Sequence, residues 1–125
     1  MSEVLDLDIL LPKKRMIKIG EKQIDVGFLP TAITFEVGSI MEELQGFTPK
    51  QIEKDPEISH RAYNLAVELC ALFCSVKNPE MDVEWFRENT VVLQINALVD
   101  VITQTVQESY KGIEEYPGNS GAAGK

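Results

Sequence analysis

One histidine, two cysteines and one tryptophan are all that 125 residues provide of the side chains from which many metal, redox and nucleophilic sites are built. A structural zinc site takes about four ligands. Cys70 and Cys74 could supply half of one, but His60 lies ~15 Å away along a helix at the standard rise, and no further Cys or His exists. Cations are also scarce: 12 Lys plus Arg against 20 Asp plus Glu leave a net charge of −8. That balance disfavours binding to phosphate backbones, which needs clustered positive charge, and docking on anionic membrane surfaces. No uninterrupted apolar run approaches the ~18 residues of a spanning helix. The glycines are scattered or near the end, so no phosphate-cradling loop is present. The sequence therefore predicts no nucleic acid, no membrane, no cofactor and no enzymatic activity. Met1 to Asp8 lack the basic region and long apolar stretch of a signal peptide, which predicts a cytoplasmic protein.

What is present is an ordinary globular composition, 44% hydrophobic and 26% charged, enough for one core. Residues 1–14 alternate apolar Leu5, Leu7 and Ile9 with Asp6 and Asp8, predicting an N-terminal arm or short strand. Pro12 and the basic run Lys13-Lys14-Arg15 follow, read as a solvated linker. Residues 16–28 predict a β-hairpin with Glu21-Lys22 at its turn. That register pairs Ile19 with Ile24, Ile17 with Val26, and Lys18 with Asp25. Such a hairpin must lean on something larger.

From Pro30 the period becomes helical. Ile33, Val37, Ile40, Met41 and Leu44 form a stripe that Gly46 ends. Thr48, Pro49 and Gln51 make a capping box for a short second helix, which Asp55-Pro56 closes. A third helix from Pro56 to Val76 carries Ile58, Leu65, Leu69, Phe73 and Val76 on one face. Asp82 caps a segment opening Val83-Glu84-Trp85-Phe86, a break falls near Asn89-Thr90, and a last helix runs to Lys111-Gly112. Its apolar stripe, Val91, Ile95, Leu98, Ile102 and Val106, is widened by Val92, Val99, Val101 and Tyr110. A band that wide touches more than one neighbour or lies partly at a subunit interface. The expected fold is mainly α: a small bundle of four to five helices with an N-terminal β-hairpin, forming one domain over residues 15–115, followed by a flexible tail over 116–125.

Cys70 and Cys74, at i and i+4 in this pattern, read as small core residues. His60 falls near a helix start, away from the apolar face. Adjacent acids such as Glu42-Glu43 point about 100° apart on a helix and form no dyad. Contact residues are better candidates than chemical ones. Trp85 and Phe86 are either a staple of the bundle or anchors for a partner. Val92, Val99 and Val101 extend the apolar band of the last helix. Leu5, Leu7 and Ile9 present an edge that pairs internally or adds to another chain's sheet. A homo-oligomer is compatible with both.

The order of features has a family likeness. A strand and turn, Met16-Ile17-Lys18-Ile19-Gly20-Glu21-Lys22-Gln23-Ile24-Asp25-Val26, leads into helices. An acid-aromatic opener follows, Met81-Asp82-Val83-Glu84-Trp85-Phe86-Arg87-Glu88-Asn89, and then a final helix containing Leu93-Gln94-Ile95-Asn96-Ala97-Leu98-Val99-Asp100-Val101-Ile102. Over residues 15–112 this resembles the tail assembly chaperones of long-tailed bacteriophages and prophages, by element order and not by a diagnostic motif. The resemblance implies a small, mostly helical protein of the host cytoplasm that is absent from the mature virion. It would bind the tape measure protein, keep it soluble, and assist polymerisation of the tail tube protein around it. Two alternatives share the same size and charge: a structural virion protein such as a head–tail connector or tail completion protein, and a host adaptor that binds a partner helix.

Overall fold

A computed structural model describes residues 4–115; the tail expected over 116–125 lies outside the described residues. Two strands, β1 (Met16–Ile19) and β2 (Lys22–Asp25), precede five helices: α1 (Thr34–Gln45), α2 (Pro49–Lys54), α3 (Pro56–Ser75), α4 (Val83–Asn89) and α5 (Val92–Glu115). The fold is the mainly helical bundle with an N-terminal hairpin that the patterning predicts.

Helix boundaries follow from local chemistry. The Thr48 hydroxyl accepts the Gln51 N–H at 3.1 Å while the Gln51 side chain accepts the Thr48 N–H at 2.9 Å, completing the expected capping box of α2. Asp55 caps α3 through the amides of Glu57 and Ile58. Asp82 caps α4 through the amide of Trp85 at 2.9 Å. Thr90, extended at φ −133° and ψ 164°, ends α4, and Gln94 reaches back to the Val91 amide to open α5. Gly46 ends α1 as expected, though in right-handed backbone at φ −75°.

α3 is the hub, packing against α1, α2, α4 and α5. This explains why Val67 and Ala71, off the expected stripe, are buried along with Leu65, Leu69 and Phe73. Val76 stands past the end of α3 and is exposed, contrary to its expected place in the stripe. On α5, Ile95, Leu98, Ile102 and Val106 are buried as predicted, but Val91 precedes the helix and is exposed. Of the residues that widen the band, Val99 and Val101 pack at the edge of the core, where α5 meets α3 and the hairpin, whereas Val92 and Tyr110 are exposed.

The hairpin departs from its expected register. Met16 faces Asp25, Ile17 faces Ile24, Lys18 faces Gln23 and Ile19 faces Lys22. The turn is Gly20-Glu21, both at positive φ (54° and 66°), the shape that matches the twist of a two-residue hairpin. Pairing is shifted by two residues and not by one, so the inward set is preserved: Ile19, Ile24 and Val26 are buried and Ile17 packs at the edge of the core. Burial of each is worth ~1.5–3 kcal/mol, which holds a hairpin that would not stand alone. Gly20 decides the turn. A Cβ there would sit 2.6 Å from Cζ2 of Trp85, so the indole ring covers the turn.

Residues 7–10 also differ from expectation. They form a single 3-10 turn, Leu7–Leu10, and not a strand, because the Asp6 carboxylate accepts the Asp8 N–H at 3.1 Å and folds the segment locally. No residue of this turn is buried. Residues 7–10 are thus neither a strand nor extended.

Candidate functional site

Three regions carry the candidate residues: the aromatic pair, the seam between hairpin and α5, and the exposed apolar segments. The pair is mostly structural. Phe86 is fully buried and meets Trp85 edge to face, centroids 5.0 Å apart, so Phe86 cannot touch a partner in this fold. Trp85 is partly buried against the core, its ring committed to Gly20. Their position follows from Asp82, which starts α4 so that positions three and four after the cap turn inward.

The seam is organised by a residue that patterning passed over. Thr105 is buried on α5. Its hydroxyl donates to the Val26 carbonyl at 2.7 Å and accepts from Arg15 Nη1 at 3.1 Å. Arg15 also pairs with Glu108, its own amide donates to the Asp25 carboxylate at 2.9 Å, and the Gly27 amide donates to the same oxygen at 2.8 Å. Arg15 is therefore a clamp and not part of a solvated linker. Asp25 braces the strand ends and does not face Lys18. Gly27 is required there, since a Cβ would lie 2.5 Å from the Lys13 carbonyl.

Beside this seam a cleft of about 300 Å³ separates β1 from α5, lined by Ile17, Lys18, Ile19, Gln94, Ala97, Leu98 and Val101. No β2 residue lines it, so it opens on the outer side of β1. Val101 thus belongs to a groove wall while packing partly on the core, and Val99 is likewise a partly buried flank of the core. The groove was not legible, although Ala97, a small residue opposite Ile17 and Ile19, is the signal that leaves room for it. A second cleft of about 290 Å³ lies between β2 and the end of α3, where Lys77 Nζ stands 5.4 Å from the centroid of Phe28.

Exposed apolar residues concentrate at two places. On the arm, Leu5, Leu7 and Ile9 are 76%, 59% and 75% exposed. At the start of α5, Val91, Val92 and Leu93 are 61%, 53% and 80% exposed, and the first turn of that helix carries no acid.

Comparison of the chain with protein-family models, curated proteins and solved structures found no match.

The chemistry of the remaining candidates is that of packing. Cys70 and Cys74 are buried, unpaired thiols. Burial is the main reason both resist ionisation: it pushes Cys74 up to about 12, and Cys70 is raised further by its neighbour Cys74. Thiolate is the reactive and metal-binding form, so neither is poised for either role at neutral pH. Among the described residues no three His, Cys, Asp or Glu side chains gather as metal ligands. His60 lies exposed near the start of α3, and no helix among the described residues is long and apolar enough to cross a membrane.

Proposed function

We propose that this protein is a phage tail assembly chaperone, acting by contact and without catalysis, which holds the tape measure protein soluble and assists assembly of the tail tube protein around it. The observation that carries the reading is the apolar triplet Val91-Val92-Leu93, left in solvent at the start of α5 although Ile95, Leu98, Ile102 and Val106 of the same helix are buried. Large apolar side chains clustered in water are unfavourable for an isolated domain and mark a contact surface. A helical client with an apolar stripe is the matching partner. The element order that resembles the tail chaperones supports the same class, and the −8 charge keeps a complex with an aggregation-prone client apart from its neighbours. On this reading the protein works in the host cytoplasm and leaves before the virion is complete.

Co-expression with the tape measure protein of the same genome tests the proposal. The client's soluble fraction should rise, the two should co-elute on gel filtration, and Val92→Asp/Leu93→Asp should abolish both effects while preserving the helical circular dichroism. Unchanged solubility with no complex refutes the chaperone reading. Recovery of the chain from purified virions would refute it too and favour a structural virion component.

A further inference from the structure

We infer that the outer edge of β1 and the groove between β1 and α5 receive the N-terminal arm, residues 4–11, of a second copy of this chain as an added strand. Hydrogen-bond phase gives the edge. The Val26 amide donates to the Arg15 carbonyl at 2.9 Å, and the two-residue turn closes between Ile19 and Lys22. Bonded pairs are therefore 15–26, 17–24 and 19–22, and the amides of Met16 and Lys18 point to the other side. The sheet has two strands, so among the described residues no strand pairs with that side. An unpaired edge next to an apolar groove is the geometry of strand addition, in which main-chain bonds supply affinity and alternate side chains enter pockets.

The arm has the matching pattern. Leu5, Leu7 and Ile9 alternate with Asp6 and Asp8. In an extended strand the three apolar residues share one face. With that face toward Ile17, Ile19 and Ala97, the pleat turns Asp6 and Asp8 to the side that bears the exposed Lys18. Charge complementarity thus specifies the same register as apolar burial. No residue of the 3-10 turn at Leu7–Leu10 is buried, so no core contact resists its extension.

The occupant is another chain's arm and not the chain's own. Lys13 and Arg15 already run beside Gly27 and Val26, leaving Leu11-Pro12 as the place to reverse. A tight two-residue hairpin needs positive φ at its first central residue. Leucine rarely adopts positive φ, so Leu11 suits that position poorly, and proline fixes its own φ near −65°. The inference does not depend on the chaperone reading, which rests on Val91, Val92 and Leu93.

Mixing two differently tagged variants of the full chain, Leu7→Cys and Ala97→Cys, under mild oxidation tests it, with the buried Cys70 and Cys74 unreactive. The expected result is a disulfide-linked heterodimer carrying both tags, prevented by Lys18→Pro, which removes an outward amide without breaking a β1–β2 bond. Sedimentation of the unmodified chain should show a species of at least two chains, and Leu7→Asp/Ile9→Asp should sediment as the monomer with unchanged circular dichroism. A wild-type chain that stays monomeric at all concentrations and gives no mixed crosslink overturns the inference. So does the double variant Leu7→Cys/Ala97→Cys if it closes its disulfide only within one chain.

Discussion

Thr105 joins the hairpin to the bundle through one hydroxyl, and Thr105→Val removes that hydroxyl while keeping the shape. Two contributions act against the variant. The bond from Oγ1 to the Val26 carbonyl, 2.7 Å long, contributes about 1 kcal/mol net, and the carbonyl left behind adds roughly 1–3 kcal/mol because it is buried without a partner. Val26 is fully buried, and the Arg15 amide, its usual cross-strand donor, is turned to Asp25 instead, so no other donor is at hand. Arg15 loses a partner too, but it reaches Glu108 at the surface. The added methyl returns less than about 1 kcal/mol. The net loss is about 2 kcal/mol, or roughly 8 °C in Tm at about 4 °C per kcal/mol for a chain of this size. Thr105→Ser keeps the hydroxyl, drops one methyl and should cost about 1 kcal/mol. Urea unfolding followed by circular dichroism, with unchanged m-values, measures both. A valine variant as stable as the wild type, or a serine variant less stable than the valine one, would refute the claim that the hydroxyl is what fastens the two parts.

Three further outcomes follow from the packing. Phe86→Ala should cost about 3–5 kcal/mol by urea titration, as expected for a fully buried aromatic; a loss below about 1 kcal/mol would mean that α4 does not hold the core. Gly20→Ala should lose at least about 2 kcal/mol, from a positive φ and a collision with Trp85, whereas Glu21→Asn at φ 66° should gain up to about 1 kcal/mol by easing left-handed backbone; equal effects of the same sign would contradict the observed turn. The buried thiols predict alkaline sensitivity. Cys74 is raised from 9.0 to about 12, so between those values the folded state keeps a proton that the unfolded chain releases, and stability is intact below pH 9 and falls as pH rises toward 12. The urea midpoint of wild type should decline more steeply over that window than that of Cys70→Ala/Cys74→Ala, and identical slopes would refute the linkage.

Where a structural choice is made within four or five residues, it was legible. The box at Thr48 and Gln51, the cap at Asp82, and Ile95, Leu98, Ile102 and Val106 of the stripe on α5 all depend on neighbours along the chain, and each appears where its spacing places it. Choices made by distant partners were not. The turn moved from Glu21-Lys22 to Gly20-Glu21 in company with an indole ring 65 residues on that covers Gly20. Arg15 is indistinguishable from Lys13 and Lys14 in composition, and only the fold supplies Thr105 and Glu108. The arm read as strand or arm because Leu5, Leu7 and Ile9 alternate, yet Asp6 captured a local amide first. Contact surfaces are the hardest case. Apolar residues that face a partner and those that face the core follow one helical period, so Val92 and Val99 looked alike although one is exposed and the other packed.

The placement of Trp85 has a spectroscopic consequence. It is the chain's single tryptophan, and it touches the hairpin at Gly20 while standing on a helix that packs against α3. Its emission therefore reports the seating of one supersecondary unit, whereas far-ultraviolet dichroism is dominated by the helices. Coincident curves from the two probes would mean that the hairpin and bundle melt as one cooperative unit. A red shift that precedes helix loss would reveal a partly opened form in which the hairpin has lifted away with the bundle intact. The molecule carries its own gauge for that opening, with no label to be introduced.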